Sequence, residues 1–204
     1  MKAGIGFAFL LVWGAVALGG PTMSIDADSF APGTILNDAF PGVTLTNMQE
    51  EDLSIFSAES AAATTGSHVF GDATDDHDWD AGGFRVDFVS HPAAWVSIDA
   101  IADGFEDYGR LEAYAADGTL LDYDVTAMLD DTGIEGPQFA TLRVESNRPI
   151  AFVLAGGDNR LVADDVELDN LIYAPHVTIP VPRAMLLAGI GACFVCGLKK
   201  CRSL

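Results

Sequence analysis

The chain has 204 residues, with 30 acids against 10 lysines and arginines. Five of those bases lie in the two ends, which carry no acid, so residues 21–175 hold five arginines against all 30 acids, a formal −25. Such a surface repels phosphate backbones, which excludes nucleic-acid partners, and it disfavours anionic lipid headgroups; it suits salt and divalent cations.

Met1–Lys2 and the uncharged run Ala3–Leu18 predict a signal segment over 1–20. About 16 apolar residues suit a signal core better than a span of about 20. Ala17 and Gly19 supply the small residues that cleavage after Gly19 or Gly20 requires.

Residues 21–175 alternate short apolar runs with turn residues, the pattern of an all-β domain. Strands are predicted at 43–46, 84–88, 95–99, 111–115, 119–121, 139–144, 150–154 and 166–173. Asp117–Gly118 suits a type I′ hairpin turn, and Asn147–Pro149 a turn that pairs the strands on either side. Ser57–Thr65, rich in alanine, is read as a helical turn or loop. The expected fold is a two-sheet antiparallel jelly-roll sandwich, with a closed barrel as the alternative. A signal helix and a C-terminal transmembrane helix are expected to flank it.

Residues 176–183 form a proline-containing linker, and 184–204 an apolar helix ending in Lys199–Lys200–Cys201–Arg202. The order of proline break, apolar run and basic end reads as a membrane stop. As a helix, Ala184–Leu198 spans only about 22 Å, against a hydrocarbon core of about 30 Å. Cys193, Cys196 and Cys201 all lie in this tail, so the domain has no disulfide.

Two acidic groups are candidate calcium sites, because hard oxygen donors suit that ion. Asp26 opens the domain and Asp169–Asn170 closes it. Asp76, Asp78 and Asp80 have the alternating spacing of a calcium loop, with Asp87 near a twelfth position. Among the aromatics, Trp79 in the acidic loop is the expected exposed ligand platform and Trp95, at a strand start, an expected core residue; Tyr108, Tyr114 and Tyr123 are further candidates. No H-E-x-x-H, G-x-S-x-G or Walker motif is present, and an abundance of carboxylates identifies no acid/base pair.

The tail, with Pro180–Val181–Pro182, the apolar run and the basic end, resembles the PEP-CTERM class of exosortase-sorted proteins, although Val181 stands where that class carries glutamate. Ile25–Asp26, Phe40–Leu45, Gly83–Phe88, Ala113–Gly118 and Leu168–Tyr173 resemble, in order, landmarks of sandwich domains common in such proteins. The group is similar to galactose-binding-like jelly rolls. The resemblance implies a sorting transpeptidase as partner, a structural calcium shared by first and last strands, and sugar binding in some branches. The expected function is an exported, surface-sorted, non-enzymatic matrix, adhesion or carbohydrate-binding module that meets the membrane through its tail and extracellular polysaccharide through its domain. The alternative is a secreted carbohydrate-active or other hydrolase.

Overall fold

The computed structural model describes residues 21–48, 54–71, 79, 83–158 and 166–177. The two terminal segments and Asp76, Asp78 and Asp80 lie outside that set. Among the described residues, thirteen strands run in chain order: β1 Met23–Ile25, β2 Val43–Asn47, β3 Phe56–Glu59, β4 His68–Gly71, β5 Phe84–Phe88, β6 Ala93–Ala102, β7 Phe105–Asp107, β8 Gly109–Tyr114, β9 Leu120–Val125, β10 Leu129–Asp130, β11 Phe139–Ile150, β12 Phe152–Gly157 and β13 Val166–Pro175. A 3-10 turn, Ala27–Ser29, follows β1. The domain is all-β and antiparallel, as its alternation predicts.

One sheet has the order β11-β6-β13-β4-β3, with β1 also paired to β13; the second has β2-β5-β12-β8-β9. Strict alternation decides which side chains meet between them. In β2 and β5, Val43, Leu45, Phe84, Val86 and Phe88 are buried while the intervening residues are half-buried. Phe70 and Trp79 both pack on Phe84, with ring centroids 5.1 and 5.3 Å apart. Removing such a large side chain from water is worth about 1.5–3 kcal/mol. Where β8 crosses β6, Gly109 is required: a Cβ there would collide with the Ala100 side chain.

Several local expectations are corrected. Residues 139–150 and 152–157 do not pair as a hairpin. β11 joins β6, and β12 lies between β5 and β8, so the chain changes sheets at Ala151. Pairing with the longer, more apolar β6 outcompetes the local turn. The Asp117–Gly118 turn is not type I′, which needs positive φ at both central residues. Only Gly118 has it, at 79°, and its N–H donates to the Ala115 carbonyl at 2.9 Å. Residues 56–59, overlapping the start of the predicted helical turn or loop, form edge strand β3, held on β4 by four register pairs.

β13 changes neighbours along its length. Leu168 pairs with Phe70 on β4, whereas Leu171–Tyr173 pair with β1. The switch coincides with a bulge between Asp169 and Ile172, where Asn170 takes a positive φ of 51°. Asparagine tolerates that left-handed conformation better than most residues.

Candidate functional site

The structure brings Asp26 and Asp169 near one another and shows what each holds. Asp26 caps the 3-10 turn, its Oδ1 accepting the Asp28 N–H at 2.9 Å. Burial lifts the Asp26 pKa above the ordinary value; the Asp28 N–H partly offsets this, and the charges of Asp28 and Asp169 lift it further. Asp169 is fully buried. Its carboxylate accepts from the Thr64 hydroxyl, the Thr65 N–H and hydroxyl, and the Asn170 N–H. Asp99, its register partner on β6, accepts from Thr141 and the Asn170 side chain at 2.5 and 3.1 Å, and shares the single Thr64 hydroxyl proton with Asp169 from 2.8 Å away. The connection between β3 and β4 thus folds Thr64 and Thr65 over two outward-pointing carboxylates.

This donor set does not fit calcium at Asp169, because protein N–H and O–H groups already fill its oxygens. Among the described residues, no group of three or more acidic, histidine or cysteine side chains is placed to hold a metal ion. Asp87, the companion of the 76–80 loop, is held by Arg85 through two hydrogen bonds of 2.8 and 2.7 Å.

Trp79 is not an exposed platform. It is 0% exposed, its Nε1 donates to the Phe70 carbonyl at 2.7 Å, and its backbone bridges to Val166. An indole large enough to fill the space beside Phe84 gains more from burial than from a solvated acidic loop. Trp95 departs from expectation in the opposite sense, lying half-buried beneath a guanidinium.

That guanidinium belongs to a repeated arrangement. Three strands carry arginine, an apolar residue, then an acid: Arg85–Val86–Asp87, Arg110–Leu111–Glu112 and Arg143–Val144–Glu145. Residues two apart share a face of a strand. Each arginine pairs with its own acid, at 2.7, 2.5 and 3.6 Å. Directly opposite each acid on the next strand stands an aromatic: Phe152 facing Asp87, Tyr123 facing Glu112, and Trp95 facing Glu145. The guanidinium lies diagonally over that ring, at 4.0, 4.8 and 4.1 Å from the centroid. Such cation–π contacts are worth about 0.5–1 kcal/mol at exposed sites.

Two of these units share the outer face of the five-stranded sheet. Phe152 stacks on Tyr114 at 4.9 Å and 8°, while Arg85 covers Phe152. The Tyr114 hydroxyl donates to Glu112, and burial, then that bond, push its pKa up to about 12. Arg110 also reaches Asp158 at 3.0 Å. Hydrogen bonding to Asp87 holds Arg85 above its ordinary pKa; at Arg110 burial acts downward, but Glu112 and Asp158 more than restore it. Tyr123 is 57% exposed at the rim. The face therefore offers fixed N–H donors, carboxylate acceptors and one accessible ring. The triplets are visible in the sequence, but the opposing aromatics require the strand register.

A shallow groove of about 300 Å³ lies elsewhere, between Met23, Pro41, His91, Tyr173 and Pro175. Its lining contains no carboxylate.

No family model matches the chain, and no curated protein is similar to it in sequence. Its fold is similar to the K2 cleaved adhesin domain of Lys-gingipain, with a TM-score of 0.42 and 14% identity, covering 74% of this chain and 97% of that one.

Proposed function

We propose that the chain is an exported, surface-sorted, non-enzymatic module of an extracellular matrix or adhesion system, and that its domain, read as a jelly roll, binds neutral polysaccharide. Residues 1–20 act as the signal and 184–204 as the membrane-anchored tail presented to a sorting transpeptidase. The observation that carries the binding reading is the outer face of the five-stranded sheet, where Arg85, Arg110, Glu112 and Tyr114 are held in place beside exposed Tyr123. Preorganised polar groups beside an aromatic ring lower the ordering cost of binding a flexible, hydroxylated chain.

The hydrolase reading needs two facing carboxylates in an open cleft. Asp99 and Asp169 do face one another, but they are 4% and 0% exposed beneath Thr64 and Thr65. The binding reading is tested on a polysaccharide array with the purified chain and Tyr123→Ala. Retention of neutral glucans or galactans by the native protein and loss by the variant is expected. Equal retention by both, or hydrolysis of the immobilised chains, overturns it.

A further inference from the structure

The two ends of the described domain leave it side by side. β1 runs antiparallel to the final residues of β13, with Met23 opposite Tyr173, so Pro21 and Val177 emerge from the same end of the sandwich. The His176 N–H, donating to the Pro92 carbonyl at 2.7 Å, fixes the exit of the C-terminal segment there.

That end differs electrically from the rest. Among the described residues, its connections are Pro41–Gly42, Val89–Pro92, Ala115–Thr119 and Ala151. They contain one acid, Asp117, which faces Arg148 at 3.7 Å; one more, Asp38, stands just before Pro41 against the Thr44 hydroxyl. The two described connections at the opposite end carry Asp103, Glu106 and Asp107 between β6 and β8, and Asp130, Asp131 and Glu135 between β9 and β11, with no base among them. A domain of formal −25 thus keeps the end nearest its tail low in net negative charge. The same end exposes Met23, Val89 and Val177, at 43%, 70% and 53%, around the Pro41–Tyr173–Pro175 groove.

The chain length restricts what that end can meet. Six residues, 178–183, separate Val177 from the apolar run Ala184–Leu198. Fully extended, they reach about 20 Å. We propose that this end is the lipid-facing surface of the domain: it rests on the bilayer that holds Ala184–Leu198, with Met23, Val89 and Val177 in the interfacial zone and the acidic end directed outward. The inference rests on the reading of that run as membrane-inserted. In the reverse orientation, six carboxylates would come within a Debye length, about 8–10 Å, of the headgroups, where anionic lipids repel them. With this end down, apolar side chains leave water and the acids lie beyond the screened layer.

The test uses the full chain with Cys193, Cys196 and Cys201 replaced by serine, carrying one fluorophore at His91→Cys or at Ile134→Cys. The proteins are reconstituted in phosphatidylcholine–phosphatidylglycerol vesicles containing a headgroup-level quenching lipid. Strong quenching at position 91 and little at 134 is expected. Equal quenching at the two positions, or stronger quenching at 134, overturns the orientation. A chain that does not float with the vesicles overturns the anchor reading and this inference with it. Val89→Asp with Val177→Asp, both at exposed positions, should abolish quenching at 91 while flotation persists. Unchanged quenching in that variant shows that the apolar lip makes no contact, and overturns the surface assigned here.

Discussion

The Asp124 carboxylate accepts the backbone N–H of Arg143 at 2.9 Å, and Asp122 does the same for Glu145. Asp122 and Asp124 lie on β9, the edge of one sheet, while Arg143 and Glu145 lie on β11, the edge of the other. Alternate N–H groups of an edge strand normally face solvent, where another chain can pair with them. Here two aspartates from the facing sheet occupy them and fasten one side of the sandwich. Replacing both with alanine should cost about 1 kcal/mol per bond. The melting midpoint should fall by several degrees, and sedimentation should detect concentration-dependent association through the freed edge. A variant as stable and monomeric as the native chain would show these contacts to be incidental.

Trp79 and Tyr123 should separate stability from binding. Trp79→Ala empties a fully buried site and orphans the Phe70 carbonyl, a change expected to cost about 3–5 kcal/mol. Tyr123→Ala removes an exposed ring and should leave the midpoint within a degree or two while weakening polysaccharide binding about tenfold, or about 1.4 kcal/mol. Denaturant melts and affinity electrophoresis on the same preparations report both effects.

Asp26→Asn should stabilise the domain at neutral pH. The amide keeps an oxygen for the Asp28 N–H and removes a charge beside Asp28 and Asp169. Because the native pKa of Asp26 is raised, the stability linked to its protonation is complete below the ordinary value of 3.8 and is lost as pH rises through the higher native value. The variant should therefore melt about 2–4 °C higher at pH 7, with the advantage vanishing near pH 3. An advantage independent of pH would assign the effect to something other than charge.

Asp130 should behave in the opposite sense. The N–H of Glu135, the Thr132 hydroxyl and further amides hold its pKa at about 2, below the ordinary 3.8. Its contribution is full above the ordinary value and disappears as pH falls through about 2. Hydrogen exchange at Ile134 and Glu135 should stay slow at pH 3 and accelerate near pH 2, whereas Asp130→Ala should exchange quickly at both. At the alkaline end, ultraviolet titration should find one tyrosine ionising near pH 12. That step should be absent from Tyr114→Phe.

Asp169 supplies a test of the junction beneath Thr64 and Thr65. The Thr65 N–H and hydroxyl and the Asn170 N–H lose this acceptor in Asp169→Ala, while the Thr64 hydroxyl keeps Asp99, and a buried unsatisfied donor costs about 1–3 kcal/mol. That variant should be strongly destabilised. Calcium and chelator should leave the native midpoint unchanged, since Asp169 has its oxygens filled by the protein. A calcium-dependent rise of several degrees would show that the ion displaces Thr64 and Thr65.

Strand patterning in β2, β5 and β8 was legible because one face of each is buried and the other wet, so alternation survives in the sequence. Asp26 and Asp169 were legible as neighbours only through the resemblance to jelly rolls whose first and last strands come close, and here β1 does pair with β13. The switch at Ala151 was not legible: Asn147–Pro149 favours a turn, and only competition for β6 decides that the strands on either side part. Trp79 was misplaced because its flanking aspartates describe a wet loop while its own side chain is drawn into the core. The arginine–acid triplets stood in the sequence, but their aromatic partners are between 11 and 67 positions away and become visible only through register.

The tail leaves from β13, which is an interior strand, hydrogen-bonded to β6 on one side and to β4 and β1 on the other. Rungs of an antiparallel ladder lie perpendicular to the strand. A pull transmitted through Val177 along the axis of β13 therefore loads the Val166–Pro175 rungs together in shear, instead of peeling them one at a time. In the surface-held binding module proposed above, this would place the attachment where flowing liquid or a tugging polymer meets the greatest mechanical resistance the sheet can offer.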